Sequence, residues 1–147
     1  MKITQKQIER FIALTSGSSY NSELKEEYKK LGRKILKSLA EIMGLQKGEF
    51  DIHWNPGGIA ISGDHILHTD WFYLALDDNI NCGWFYYRTC TSRKDYTGGH
   101  NRITHWHFLK NYGLEELAKA INRDCPRPVT KTIYSTKCCL ESIPLVF

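Results

Sequence analysis

No apolar run in this chain approaches the ~20 residues that carry a helix across a bilayer, so a spanning helix is not what organises it. The start, Met1-Lys2-Ile3-Thr4-Gln5-Lys6, lacks the apolar segment of a signal peptide. The expected location is therefore cytoplasmic. Cysteine is sparse: Cys82, Cys90, Cys125, Cys138 and Cys139 are odd in number and show no C-x-x-C spacing. Free thiols in a reducing compartment are expected, rather than a disulfide framework. There is no G-x-x-x-x-G-K-[ST], no G-x-G-x-x-G and no G-x-S-x-G. That removes the common phosphate cradles and the nucleophile elbow. Internal repeats and low-complexity segments are also missing. Acid does not dominate either: the net charge is +4, which excludes an acidic mimic of DNA.

What is present suits one globular domain. The chain has 147 residues, 41% hydrophobic and 24% charged, enough to bury a real core. Thr4-Gln5-Lys6-Gln7 has capping-box form, and Ile8, Phe11 and Ile12 share a face, predicting a helix over 4–14. Leu24, Tyr28, Leu31, Ile35, Leu39 and Ile42 step by three or four, predicting a helix over 22–43 closed by Gly44. From Glu49 the period becomes two. Four strands are expected: Phe50 to Trp54, a short one at Ile59-Ala60-Ile61-Ser62, a long one from His65 to Leu76, and one from Cys82 to Thr91. Short turns between them imply an antiparallel meander. Helical signals return from His105 to Tyr112, break at Gly113, and resume through Leu114, Leu117, Ala118 and Ile121. The order predicts an α+β fold: N-terminal helices and a C-terminal helix packed on a four-stranded antiparallel meander. It divides into a helical part (1–45), a sheet (49–102), a helical part (103–124) and a tail (125–147). Trp and Tyr on the strands predict an aromatic sheet face available for stacking.

Charge concentrates at two places. The loop Ser92-Arg93-Lys94-Asp95-Tyr96-Thr97-Gly98-Gly99-His100-Asn101-Arg102 follows the aromatic strand that carries Arg88. Gly98-Gly99 allows close backbone approach, and Arg93, Lys94 and Arg102 supply charge. Tyr96 adds a ring, and Asp95 either orients an arginine or caps the turn. Basic side chains interleaved with aromatics suit single-stranded nucleic acid, with charge for the backbone and rings for the bases. On the second helix, Lys29, Lys30, Arg33, Lys34 and Lys37 have no acid among them. Such a run serves either as a solvated face or as an anion-binding one.

Two chemical constellations compete with recognition. His68 and Asp70 share a face if both lie on one strand. With His105 or His107 they can supply a metal set, although no finger-like spacing occurs. Cys90 has Arg88, Arg93 and Lys94 beside it in sequence, and nearby cations lower a thiol pKa. A strand cysteine next to an aromatic run also serves as a small core residue.

Asn55-Pro56-Gly57-Gly58-Ile59-Ala60-Ile61-Ser62-Gly63, Leu67-His68, Tyr73, and Tyr87-Arg88-Thr89-Cys90 with Arg93-Lys94-Asp95-Tyr96-Thr97-Gly98-Gly99-His100-Asn101 resemble a family of small uncharacterised bacterial and phage proteins. Its pattern is N-x-G-G-x-A-x-S-G-E-x-x-L-H followed by R-x-C-x-G-R-K-D-Y-x-G-G-x-N. The likeness covers 22–112; Asp64 and Ser92 stand where the pattern has Glu and Gly. It implies a phage or mobile-element setting and a site at His68, Arg88, Cys90, Arg93, Lys94, Asp95, Tyr96 and Asn101. It carries no activity. The expectation is a phage-type accessory protein, in host cytoplasm, binding nucleic acid or a nucleoprotein complex. One form is an inhibitor of host defence of the anti-CRISPR kind. Binding is expected at Arg88, Arg93, Lys94, Asp95, Tyr96, Gly98, Gly99, Asn101 and Arg102, and along Lys30, Arg33, Lys34 and Lys37. The alternative is an enzyme on a phosphorylated substrate using His68, Asp70 or Cys90, with or without a metal. No cofactor is otherwise implied, no membrane partner is expected, and the apolar end Ile143-Pro144-Leu145-Val146-Phe147 suits self-association.

Overall fold

Thr4 and Gln7 hold the first helix, α1 (Gln5–Thr15). The Gln7 N–H donates to Thr4 Oγ1 at 3.2 Å and the Thr4 N–H donates to Gln7 Oε1 at 3.0 Å. This is the reciprocal capping box expected from the sequence. The second helix, α2 (Ser22–Ile42), is capped by Asn21, whose Oδ1 accepts from the N–H groups of Glu23 and Leu24. It ends at Gly44, with φ +72°. There the Gly44 N–H reaches Glu41 O and the Leu45 N–H reaches Ala40 O, a Schellman closure that satisfies the last carbonyls. This computed structural model describes residues 2–15, 21–55, 63–76, 84–93, 95 and 100–128. The strand expected at 59–62 and the tail from 129 lie outside them.

Among the described residues the sheet has five strands in sequential order: β1 (Phe50–Asn55), β2 (Asp64–Thr69), β3 (Phe72–Leu76), β4 (Trp84–Thr89) and β5 (Arg102–His105). Every neighbouring pair is antiparallel. Helix α3 (Trp106–Asp124) follows, broken at Gly113, which adopts φ +81°. The α+β meander is as expected, with two corrections. The long strand from His65 to Leu76 is a hairpin, β2 and β3. Its turn contains neither Gly nor Pro; Thr69 makes it instead. Thr69 Oγ1 accepts from the N–H groups of Trp71 (3.2 Å) and Phe72 (3.0 Å) and donates to Phe72 O (3.0 Å). A hydroxyl that bonds its own backbone turns the chain as firmly as a glycine does. The second correction is β5, which occupies residues read as loop and helix. It is a short, largely exposed edge strand, so it lacks the apolar alternation that marks a buried one.

Helices α1, α2 and α3 cover one face of the sheet, and the core lies between. Phe11, Tyr28, Ile35, Leu39, Leu67, Phe72, Leu74, Phe85 and Leu117 are fully or almost fully buried there. One polar ring joins them. His65 of β2 is 1% exposed and boxed by Trp54 (4.4 Å between ring centroids), Tyr28 (5.0 Å) and Phe11 (5.5 Å). Above it stands Gly32, where an added Cβ would lie 2.3 Å from the imidazole. Only a residue without a side chain lets α2 approach this closely. Burial pushes the His65 pKa down to about 4, and a weak contact with the Lys29 backbone opposes this without reversing it. Neither ring nitrogen has a hydrogen bond of good geometry. The folded state therefore holds a neutral imidazole, whereas the unfolded chain titrates near 6.5.

Two consequences can be measured. Stability from the neutral His65 is complete above the unfolded-state pKa and falls as pH drops through 6.5 toward 4. Between pH 7 and pH 5, denaturant titration should show the wild-type chain losing about 2 kcal/mol more than His65→Phe. Gly32→Ala should cost roughly 1–3 kcal/mol, the usual penalty of overpacking, read as a lower denaturation midpoint.

Candidate functional site

The strand alternation divides the polar residues between two sheet faces. On β2, His65, Leu67 and Thr69 point to the helices, while Ile66 and His68 point to the other side, here the second face. Register places Asp51, His68, Tyr73 and Arg88 directly opposite one another across β1, β2, β3 and β4. Side chains so aligned stand about 5 Å apart at Cβ. A single polar row thus crosses the second face. His68 is 1% exposed and Tyr73 3%, with ring centroids 5.2 Å apart. The Arg88 guanidinium lies 5.7 Å from the Tyr73 ring centroid, and its Nη1 donates to Asn101 Oδ1 at 3.3 Å.

The chain after β4 folds back onto this row. The Cys90 N–H donates to Trp71 O at 3.1 Å. The Cys90 Sγ then lies 3.6 Å from His68 Nε2 and 3.4 Å from Thr69 O. Asp95 caps the following turn, its Oδ2 accepting from the Thr91 N–H (3.1 Å) and hydroxyl (2.8 Å). Arg93 reaches inward. Its Nη2 donates to Gly48 O at 2.7 Å, its Nη1 meets Asp51 at 3.2 Å, and its Nε lies 3.5 Å from Asp70, which also accepts from the Arg93 N–H. Beside them, the Arg127 guanidinium sits 4.8 Å from the Trp71 ring centroid and pairs with Glu49.

Electrostatics at the pair runs against the sequence expectation of a lowered thiol pKa. Burial pushes the Cys90 thiol up, Asp95 and Asp70 add to this, and Arg88 and a Ser92 backbone hydrogen bond only partly offset it. Adjacency in sequence counted the cations but missed the desolvation and the two acids. Burial likewise lowers the His68 pKa, helped by His53, with a Ser92 backbone hydrogen bond opposing. Thiol and imidazole are both neutral at rest.

Other expected residues fall elsewhere. Asp70 is not on a strand with His68; it lies in the Thr69 turn, exposed, and holds Arg93. His105 is on β5, three strands across from His68 and outside its row, since it pairs with Trp84 at the far end of β4 from Arg88, and His107 lies at the start of α3, exposed. No cluster of three metal-ligating side chains forms among the described residues. Arg102 is exposed and lines an open groove of about 490 Å³ with Asn101, Arg123 and Asp124. Lys94, Tyr96, Gly98 and Gly99 lie outside the described residues. Lys30, Arg33, Lys34 and Lys37 sit on the outer side of α2, so the sheet separates them from Arg88 and Arg93. The expected aromatic platform is not open either: Tyr73 is buried, Tyr86 is half-buried, and Phe72, Phe85 and Tyr87 face the core. The sequence did not point to Asp51 or Thr69 as site residues, and Tyr73 entered only as part of the resemblance; strand register connects Asp51 and Tyr73 to His68.

Comparison with protein-family models, curated proteins and solved structures gives no match to this chain. The resemblance over 22–112 therefore rests on its motifs. Among the described residues no helix is long and apolar enough to cross a membrane.

Thr69 fixes the turn on which His68, Asp70 and Cys90 all depend. Thr69→Val should leave the turn donors unmet and cost about 1–3 kcal/mol, whereas Thr69→Ser should retain most of that stability; thermal unfolding compares the two.

Proposed function

We propose that the chain is a binding protein that docks on nucleic acid, alone or within a nucleoprotein complex, through the outer face of α2. The observation that carries this reading is the basic stripe. Lys30, Arg33, Lys34 and Lys37 recur at three- and four-residue steps, and Lys29 lies beside them. Four of the five are exposed and Lys34 is half-buried. The opposite side of the helix, at Gly32, Ile35, Leu36 and Leu39, is buried on the sheet. From residue 29 to residue 37 the stripe covers ~12 Å of helix, comparable with several successive phosphates along a strand. The nearest acid on the N-terminal side, Glu27, is held by a bidentate contact with Arg10 on α1.

Arg93 is engaged by Asp51, Asp70 and Gly48 O, so it organises the protein rather than gripping phosphate. Arg102 stays exposed and can add to binding along the sheet edge. In a phage setting, competing with a defence complex for its nucleic acid is one form such a protein takes.

Fluorescence anisotropy with a labelled DNA duplex, titrated between 50 and 300 mM salt, tests the idea. A log–log slope of about −3 to −4 is expected if four phosphates are neutralised. Lys30→Glu with Lys34→Glu and Lys37→Glu should flatten that slope and weaken binding by at least ~100-fold. Unchanged binding in the triple variant would overturn the assignment of this face.

A further inference from the structure

We infer that Cys90 and His68 form a nucleophile–base pair that accepts an acyl group from an activated ester or thioester bearing a negative charge. This goes beyond the binding role of α2 and is independent of it, because the pair lies on the opposite face of the sheet.

The geometry has three parts. The first is the pair. Sγ and Nε2 are 3.6 Å apart, within reach of a proton transfer once substrate tightens the site. Cys90 is half-buried on the solvent side and His68 is buried behind it, so an electrophile meets sulfur before imidazole. The second part is the support of the base. The Tyr73 ring packs beside His68, Asp51 is its cross-strand partner, and the Ser92 backbone hydrogen-bonds the ring. Such support holds an imidazole in one orientation. The third is the cation. Arg88, near the end of β4, precedes Cys90 by two residues, acts on its thiol electrostatically, and is steadied by Asn101 and the Tyr73 ring. A guanidinium in that place selects a carboxylate or phosphate on the acyl donor.

The neutral resting pair fits a thiolate made on demand rather than stored. At rest the S–H has Thr69 O at 3.4 Å as a second acceptor. On reaction the thiol proton passes to His68 Nε2 while sulfur attacks the carbonyl carbon and forms the C–S bond. The bond from that carbon to the leaving group then breaks, and the leaving group takes the proton from His68. The products are a Cys90 thioester and an alcohol or thiol, and no oxidant or reductant is consumed.

The test uses the full chain with two probes, 4-nitrophenyl acetate and the anionic mono-4-nitrophenyl ester of glutaric acid. One equivalent of 4-nitrophenolate should be released in a burst, with the acyl mass found on Cys90 by peptide mapping. The glutarate ester should react about 10-fold faster than the acetate, the gain of one charge-assisted contact. Arg88→Met should bring that ratio toward one. Cys90→Ala should abolish the burst, and His68→Gln should slow it about 100-fold with the thiol still countable after denaturation. Where His68→Gln does not fold, the wild-type pH profile decides: a rate flat from pH 6.5 to 8 supports a base-assisted thiol. A tenfold rise per pH unit throughout, acylation confined to other residues, or an unaltered rate in folded His68→Gln would each overturn the proposal.

Discussion

The close approach of α2 to β2 at Gly32 and His65 is the contact on which the rest of the structure depends. Gly32 has no side chain, so the helix backbone lies directly over the His65 ring. That ring also touches Phe11 of α1, Tyr28 of α2 and Trp54 of β1. One residue therefore ties two helices to two strands. The tie excludes water, and the exclusion keeps the imidazole neutral. The depth of the helical layer over the sheet is set here, and with it the outward angle of the α2 cations.

The second sheet face obeys another constraint, the pleat. Alternation along β1 to β4 gives the helices every apolar side chain they need and leaves Asp51, His68, Tyr73 and Arg88 in a row on the far side. The row is not solvated in the usual manner of an antiparallel sheet, since His68 and Tyr73 are buried. Arg93, Asp95 and Cys90 come from the segment folded across it. Charges there neutralise one another: Arg93 lies among Asp51, Asp70 and a backbone carbonyl. The buried His68 and Tyr73 are held in fixed positions beneath these ion pairs, whereas charges on the outer side of α2 act through loose, screened attraction.

How much of this was legible in the sequence follows from how local each signal is. The α1 capping box, the α2 stripe, the Gly44 closure and the Gly113 break are all written within a few residues, and all are observed. The β2–β3 turn was not legible, because Thr69 does the work of a glycine with a hydroxyl. Edge strand β5 was missed for want of an apolar face. His68 and Cys90 were each singled out, yet their pairing needs the registers of β2, β3 and β4 together. Asp51 gave no local signal at all. The direction of the Cys90 pKa shift was misread because burial is a property of the fold, not of neighbouring letters.

Strand β4 carries the sharpest alternation in the sheet. Phe85 and Tyr87 fill the core while Tyr86 and Arg88 stand on the other side. A slip of one residue would drive Arg88 into the apolar layer, an error no turn sequence could rescue. Pairing of β4 is thus policed from within the strand itself. Beyond the strand, Arg93 and Asp95 hold the chain against Gly48, Asp51, Asp70 and Thr91, a task separate from setting register. The register of the sheet and the placing of Arg88 are therefore one and the same decision, taken by the alternation of four consecutive side chains.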